Sequence, residues 1–121
     1  MPNPVVHFEI QSVDSEKSRD FFREVFGWQI EVASEMEYGL VNTGAESGIN
    51  GGIEASPTGE NQVMIYIEVD DIQGYLDRAV AAGAGVVLPV TSIPGAVTFA
   101  VFSDPAGVVV GIVDSETPPA E

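Results

Sequence analysis

The sequence predicts an α+β fold: two tandem βαβββ modules forming a curled mixed sheet around a central cleft. Three observations predict it. Each half of the chain opens on a strand-like stretch, Pro4–Val13 and Gln62–Val69. Each stretch runs directly into an amphipathic helix, and each helix is followed by three short strands. With 121 residues and 45% hydrophobic content, the chain has the length and apolar content of a single globular domain, residues 1–121.

The first module spans about 4–56. Its opening strand, PVVHFEIQSV, carries the only histidine. Strand alternation puts Val6, Phe8 and Ile10 on one face and Val5, His7 and Glu9 on the other, so one face packs helices and the other lines a site. Asp14 and Ser15 supply N-cap oxygens, and Glu16 adds negative charge to the first turn of a helix over Ser15–Phe26. Ser18, Phe21, Phe22, Val25 and Phe26 recur at helical spacing, and Gly27 is the stop. Strands follow at Trp28–Val32, Glu37–Asn42 and Gly51–Ser56, the last after the turn-rich loop TGAESGIN. Trp28 packs either at the end of the helix or at the mouth of the cleft. The Gly51–Gly52 pair marks a close backbone approach or a bulge.

The linker PTGEN leads into the second module, about 62–114. Its first strand, Gln62–Val69, puts Val63, Ile65, Ile67 and Val69 on one face and Met64, Tyr66 and Glu68 on the other. Asp70 or Asp71 caps a helix over Ile72–Ala82 with an apolar stripe of Ile72, Leu76, Ala79 and Val80, ended by Gly83 and Gly85. Strands at Val86–Val90, Val97–Ser103 and Val108–Val113 complete it, the last two joined by the turn DPAG. The tail 115–121 is expected to be flexible. Aligning Asp14 with Asp71 pairs His7 with Met64, Glu9 with Tyr66 and Glu54 with Gly111. The face away from the helices therefore collects His7, Glu9, Glu54, Met64, Tyr66 and Gly111.

Charge and composition exclude several classes. Nineteen acidic residues against four basic ones give a net charge of −15, a poor surface for nucleic acid or anionic membranes. That acidity fits a high-salt cytoplasm or ordinary acidic solubility. The absence of cysteine excludes disulfides and thiolate metal sites. No apolar run is long enough to span a membrane and no signal peptide is read at the N-terminus, so a cytoplasmic protein is expected. There is no dinucleotide fingerprint, P-loop lysine or nucleophile elbow.

The motifs VVHFEI, RDFFREVFGW, VDDI and SDPAGVVVGIV, in this order and spacing over about Pro4–Asp114, resemble the glyoxalase, bleomycin-resistance and extradiol-dioxygenase group, the vicinal oxygen chelate superfamily. The resemblance implies a cup of paired βαβββ modules and a homodimer. In metal-dependent members, His or Glu from the first and last strand of each module holds the ion. The corresponding positions here are His7, Glu54, Met64 and Gly111. His7 and Glu54 are usable ligands; a thioether suits hard or borderline divalent ions poorly, and glycine offers no side chain.

The expected function is therefore binding of a small molecule by His7, Glu9, Glu54, Met64, Tyr66 and Gly111, with an incomplete metal site and no cofactor. The alternative is a metal-dependent lyase, isomerase or dioxygenase using His7 and Glu54 with nickel, zinc, manganese or iron. His7 titrates near neutrality and Glu9 stands two residues away on the same strand face, so the pair is the candidate acid and base for metal-free chemistry. Met64 and Tyr66 give the other half of the cleft an apolar character with one phenolic handle.

Overall fold

The computed structural model describes residues 3–33, 38–93 and 97–114. The expectations for Glu37 and for the tail 115–121 lie outside the described residues. The element order is β1 (Val5–Ser12), α1 (Ser15–Phe26), β2 (Gln29–Ala33), β3 (Tyr38–Asn42), β4 (Gly51–Ala55), β5 (Gln62–Val69), α2 (Ile72–Ala81), β6 (Gly85–Ile93), β7 (Val97–Ser103) and β8 (Val109–Asp114). This is the α+β pattern of two βαβββ modules. The chain divides into two compact units, Val6–Met64 and the remaining described residues.

In the Val6–Met64 unit the strand order is β2-β3-β4-β1. β1 and β4 are parallel, with Gln11 opposite Glu54, whereas β2–β3 and β3–β4 are antiparallel. The parallel pair requires a long crossover, supplied by α1, β2 and β3. The Asp14 carboxylate accepts the Lys17 N–H at the start of α1, and Gly27 ends the helix in the left-handed region at φ 70°, where an L side chain is strained. Ile30, Val41 and Ile53 form the core, with Phe8, Ile10, Phe22 and Trp28 packed against it. Of the aromatic residues on the predicted α1 stripe, only Phe22 reaches that core. Phe21, Val25 and Phe26 are more than half exposed. The indole of Trp28 stacks on Phe22, with ring centroids 5.1 Å apart, and on Phe26 at 5.5 Å, which places Trp28 at the helix end.

In the other unit the order is β5-β8-β7-β6, with β5 and β8 parallel and the remaining pairs antiparallel. Asp71, rather than Asp70, caps α2 by accepting the Gly74 N–H at 3.1 Å. Ile72 and Leu76 drop into a core with Val69, Ala100 and Ile112, each such large side chain contributing about 1.5–3 kcal/mol by leaving water. Val80, on the predicted stripe, is largely exposed. The DPAG turn closes as expected: Asp104 Oδ1 accepts the N–H groups of Ala106 and Val108, and Gly107 sits at φ 97°.

Two features depart from the sequence pattern. The outer strand β6 runs past Pro89 to Ile93, with register shifts between Val86 and Leu88 and between Leu88 and Thr91. Proline is tolerated there because one side of an edge strand has no partner to receive an N–H. Along β5 burial runs opposite to the expected apolar stripe at its first residues: Val63 is 69% exposed while Met64 is 4% exposed. Only Ile67 and Val69 of that stripe meet the core beneath α2, because the helix starts after Val69.

Candidate functional site

The face of the Val6–Met64 sheet turned away from α1 carries the chemistry. On β1, Phe8 and Ile10 face the core, so alternation sends His7, Glu9 and Gln11 to the opposite side. On β4, Ile53 is fully buried in the core, which leaves Gly52 and Glu54 on that same opposite face. On β3, Val41 faces the core and Tyr38 points away from it.

These side chains form one hydrogen-bonded network. The Tyr38 hydroxyl donates to Glu9 Oε1 at 3.1 Å. The same hydroxyl lies 2.9 Å from His7 Nε2, within hydrogen-bond distance. The Gln11 amide is the hub: Nε2 donates to Glu9 Oε2 at 2.9 Å and to Glu54 Oε2 at 3.0 Å, and lies 3.7 Å from Met64 Sδ. Gln62 Nε2 contacts Gln11 Oε1 at 3.4 Å and Met64 Sδ at 3.8 Å. Glu9 is only 5% exposed, an unusual position for a carboxylate, and is sustained by these donors. Gly52 makes room for Tyr38: a Cβ there would collide with the phenol, so the glycine pair serves close approach and not a bulge.

Burial and proximity displace two titrations. Desolvation pushes the Glu54 carboxyl up to about 8, reinforced by its hydrogen bond with Glu9 and by the Glu9 negative charge; the Gln11 hydrogen bond works the other way. Burial lowers His7 from its ordinary 6.5, outweighing the opposing pull of Glu9. At neutral pH the face therefore presents an uncharged imidazole, a phenol and a protonated Glu54.

The structure brings together His7, Glu9, Glu54 and Met64. Tyr66 and Gly111 belong to the other unit, opposite one another in the β5–β8 register. The Tyr66 ring lies against the Gly111 Cα where a side chain would stand, and meets Phe99 edge-on at 6.2 Å. Tyr38, Gln11 and Gln62 are site residues that the sequence reading did not single out. Gln11 stands at i+2 from Glu9, and Tyr38 alternates with Val41, so strand periodicity carried the signal for both.

The residues do not fit a divalent metal shell. His7 Nε2 and Glu54 are bonded to Tyr38 and Gln11, both carboxyls accept from the Gln11 amide, and a carboxylate at position 111 would need the space of the Tyr66 ring. Among the described residues no three His, Cys, Asp or Glu side chains converge as ion ligands.

Fold and site define a paired βαβββ scaffold, and residues 5–112 match the Glyoxalase/Bleomycin resistance protein/Dioxygenase superfamily, to which the chain belongs. It is 28% identical over 113 residues to CFP32 of Mycobacterium bovis and of Mycobacterium tuberculosis, an alignment covering 86% of this chain and 42% of those proteins. The chain thus spans less than half the length of the curated relatives it matches. Among solved structures it resembles methylmalonyl-CoA epimerase from Mycobacterium tuberculosis (TM-score 0.68, 14% identity, 97% of this chain and 88% of that one). It also resembles a glyoxalase/bleomycin resistance protein/dioxygenase superfamily member from Vibrio splendidus 12B01 (TM-score 0.64, 21% identity, 94% and 100%). At these identities the structural likeness establishes the fold. Among the described residues no helix is long and apolar enough to cross a membrane.

Proposed function

We propose that the chain binds a small organic molecule against the face formed by His7, Glu9, Gln11, Tyr38, Glu54 and Met64, with hydrogen bonds and not a divalent ion holding the two carboxyls together. One observation carries the reading: the Gln11 amide directs its N–H groups at both Glu9 and Glu54, the arrangement of a proton-bridged polar wall. Tyr66 and Gly111 are the proposed contacts from the second module, and a homodimer is the proposed assembly. The apolar residues Val86, Val87 and Leu88, exposed on the outer strand β6, support the latter.

Amide NMR titration with neutral aromatic fragments tests the binding reading. Shifts confined to residues 6–11, 38–42 and 51–55 are expected. Saturating fragments that leave those amides unmoved contradict it.

A second reading, metal-free proton transfer, is supported by Glu54, whose titration near 8 leaves both its protonation states accessible around neutrality. His7, Glu9 and Glu54 would then exchange a proton with a carbon acid. The methylmalonyl-CoA epimerase from Mycobacterium tuberculosis shares the fold at 14% identity, which carries over neither its substrate nor its mechanism. Deuterium incorporation from solvent into a bound carbon acid, lost in His7→Ala, is the expected signature. Incorporation unchanged in His7→Ala and Glu54→Gln would remove these residues from the chemistry.

A further inference from the structure

Where β1 runs into α1, a cavity of about 440 Å³ opens wholly within the Val6–Met64 unit. That volume lies in the range of small-molecule sites. Its apolar lining includes Val13 and Val63, which are 61% and 69% exposed and which the core of their own unit leaves uncovered. Gln11 and Gln62 also line it, so the cavity adjoins the hydrogen-bonded network described above.

Three polar side chains of this lining keep hydrogen-bonding groups unspent among the described residues. Asn61 Oδ1 accepts the Val13 N–H at 2.9 Å, which assigns the amide NH₂ to the other position, where it meets no partner. Asp14 Oδ1 accepts the Lys17 N–H at 3.2 Å, and Asp14 Oδ2 meets none. The Lys17 ammonium has neither a hydrogen bond nor an ion pair. By contrast, Arg19 donates to Ser15, Arg23 to Ile30 and Asp20, and Arg78 lies over the Tyr75 ring. Capping does not account for the lysine. Aligning Asp14 with Asp71 also pairs Lys17 with Gly74, and Asp71 accepts the Gly74 N–H as Asp14 accepts that of Lys17. A glycine suffices for that bond, so the lysine side chain is free for another use.

We propose that this cavity binds a small zwitterion of the α-amino acid class with an apolar side chain. Its carboxylate takes the Lys17 ammonium and the Asn61 NH₂, its ammonium takes Asp14 Oδ2, and its side chain covers Val13 and Val63. A ligand of zero net charge also enters the field of a chain at −15 without the penalty that an anion meets. The cavity is separate from the face to which binding is assigned above, and neither proposal depends on the other.

The test compares phenylalanine with 3-phenylpropionate, which lacks the ammonium, and with 2-phenylethylammonium, which lacks the carboxylate. Each is titrated into the full chain at about 0.15 M salt, where the field of the chain is largely screened beyond about 8 Å. Amide NMR shifts of residues 10–18 and 61–63 are read. Phenylalanine is expected to move them saturably and to bind about threefold or more tighter than either truncated probe, since one exposed ion pair contributes up to about fivefold. No saturable shift with phenylalanine, or equal affinity for a truncated probe, overturns the proposal.

Two variants assign the contacts without disturbing the helix start: Lys17→Met keeps the apolar stem, and Asp14→Asn keeps a capping oxygen. Lys17→Met is expected to weaken phenylalanine and 3-phenylpropionate about three- to fivefold and to leave 2-phenylethylammonium unchanged. Asp14→Asn is expected to weaken phenylalanine and 2-phenylethylammonium by the same factor and to leave 3-phenylpropionate unchanged. Equal losses for all three probes, or no loss for any, in the folded variants overturn the proposal.

Discussion

Replacing Glu54 by glutamine tests the protonated carboxyl directly, because an amide reproduces its hydrogen bonding. The introduced amide accepts from Gln11 with its carbonyl and donates to Glu9 with its NH₂, as the neutral acid does. The sign follows from linkage. The folded-state titration is raised from 4.5 to about 8, so between those values the folded state holds a proton that the unfolded chain has released. The contribution is fully present below 4.5 and is lost as pH rises through 8. The full shift corresponds to nearly 5 kcal/mol; because Glu54 is only half-buried, solvent screening reduces this to about 1–2 kcal/mol. Urea denaturation of both proteins from pH 5 to pH 9 reads it. Glu54→Gln is expected to match the native chain at pH 5 and to be about 1–2 kcal/mol more stable at pH 9. Acidic groups remote from the Glu54–Glu9 pair cancel in the difference. A stability difference that is flat with pH, or largest at pH 5, would refute a proton held on Glu54.

Other substitutions probe the neighbouring parts of the fold. Tyr38→Phe removes the hydroxyl joining His7 to Glu9 and is expected to cost about 1–3 kcal/mol in chemical denaturation, since it leaves part-buried polar groups without that partner; a neutral result would show that water replaces it freely. Gly111→Ala drives a methyl group into the Tyr66 ring and is expected to destabilise by about 1–3 kcal/mol, with the loss relieved in the Tyr66→Ala background. Equal losses in both backgrounds would refute the contact. Asp71→Ala removes the α2 cap and is expected to cost about 1 kcal/mol, whereas Asp70→Ala changes stability by less than half of that. The lowered His7 titration predicts stability lost as pH falls below 6.5, because the unfolded chain takes up that proton first. The His7 ring resonances in NMR should accordingly titrate below 6.5, and a midpoint at or above 6.5 contradicts the burial argument.

Much of the architecture was legible because it rests on local rules. The β-α-β-β-β order, the Asp14 and Gly27 boundaries of α1 and the DPAG turn each follow from periodicity or from one residue's conformational preference. What escaped depended on which strands meet. Phe21, Val25 and Phe26 have helical spacing, but the sheet beneath α1 engages Phe22, and the spacing alone cannot tell which residue of an aromatic stripe will be covered. Val63 continues the alternation of Ile67 and Val69, yet it precedes the ground that α2 shelters. In the site, alternation delivered His7, Glu9 and Glu54 to one face. Alternation also put Gln11 and Tyr38 on the face away from the core, but their joining to Glu9 depends on how β1, β3 and β4 lie side by side, with Gly52 clearing the space for the phenol. The mismatch of Met64 and Gly111 with a ligand set was readable from residue type. The Tyr66 ring against Gly111 gives it a steric basis that residue type does not supply.

Elemental analysis of protein purified without a metal-affinity tag, followed by thermal melting with added nickel, zinc, manganese and iron, tests the central claim most directly. A hydrogen-bonded carboxyl pair predicts well under one equivalent of any of these metals, with no saturable rise in melting temperature. Tight binding to the folded state alone would instead add about 3 kcal/mol at roughly a hundredfold excess over the dissociation constant. One tightly held equivalent, lost together with the melting shift in Glu9→Gln or Glu54→Gln, would contradict the claim.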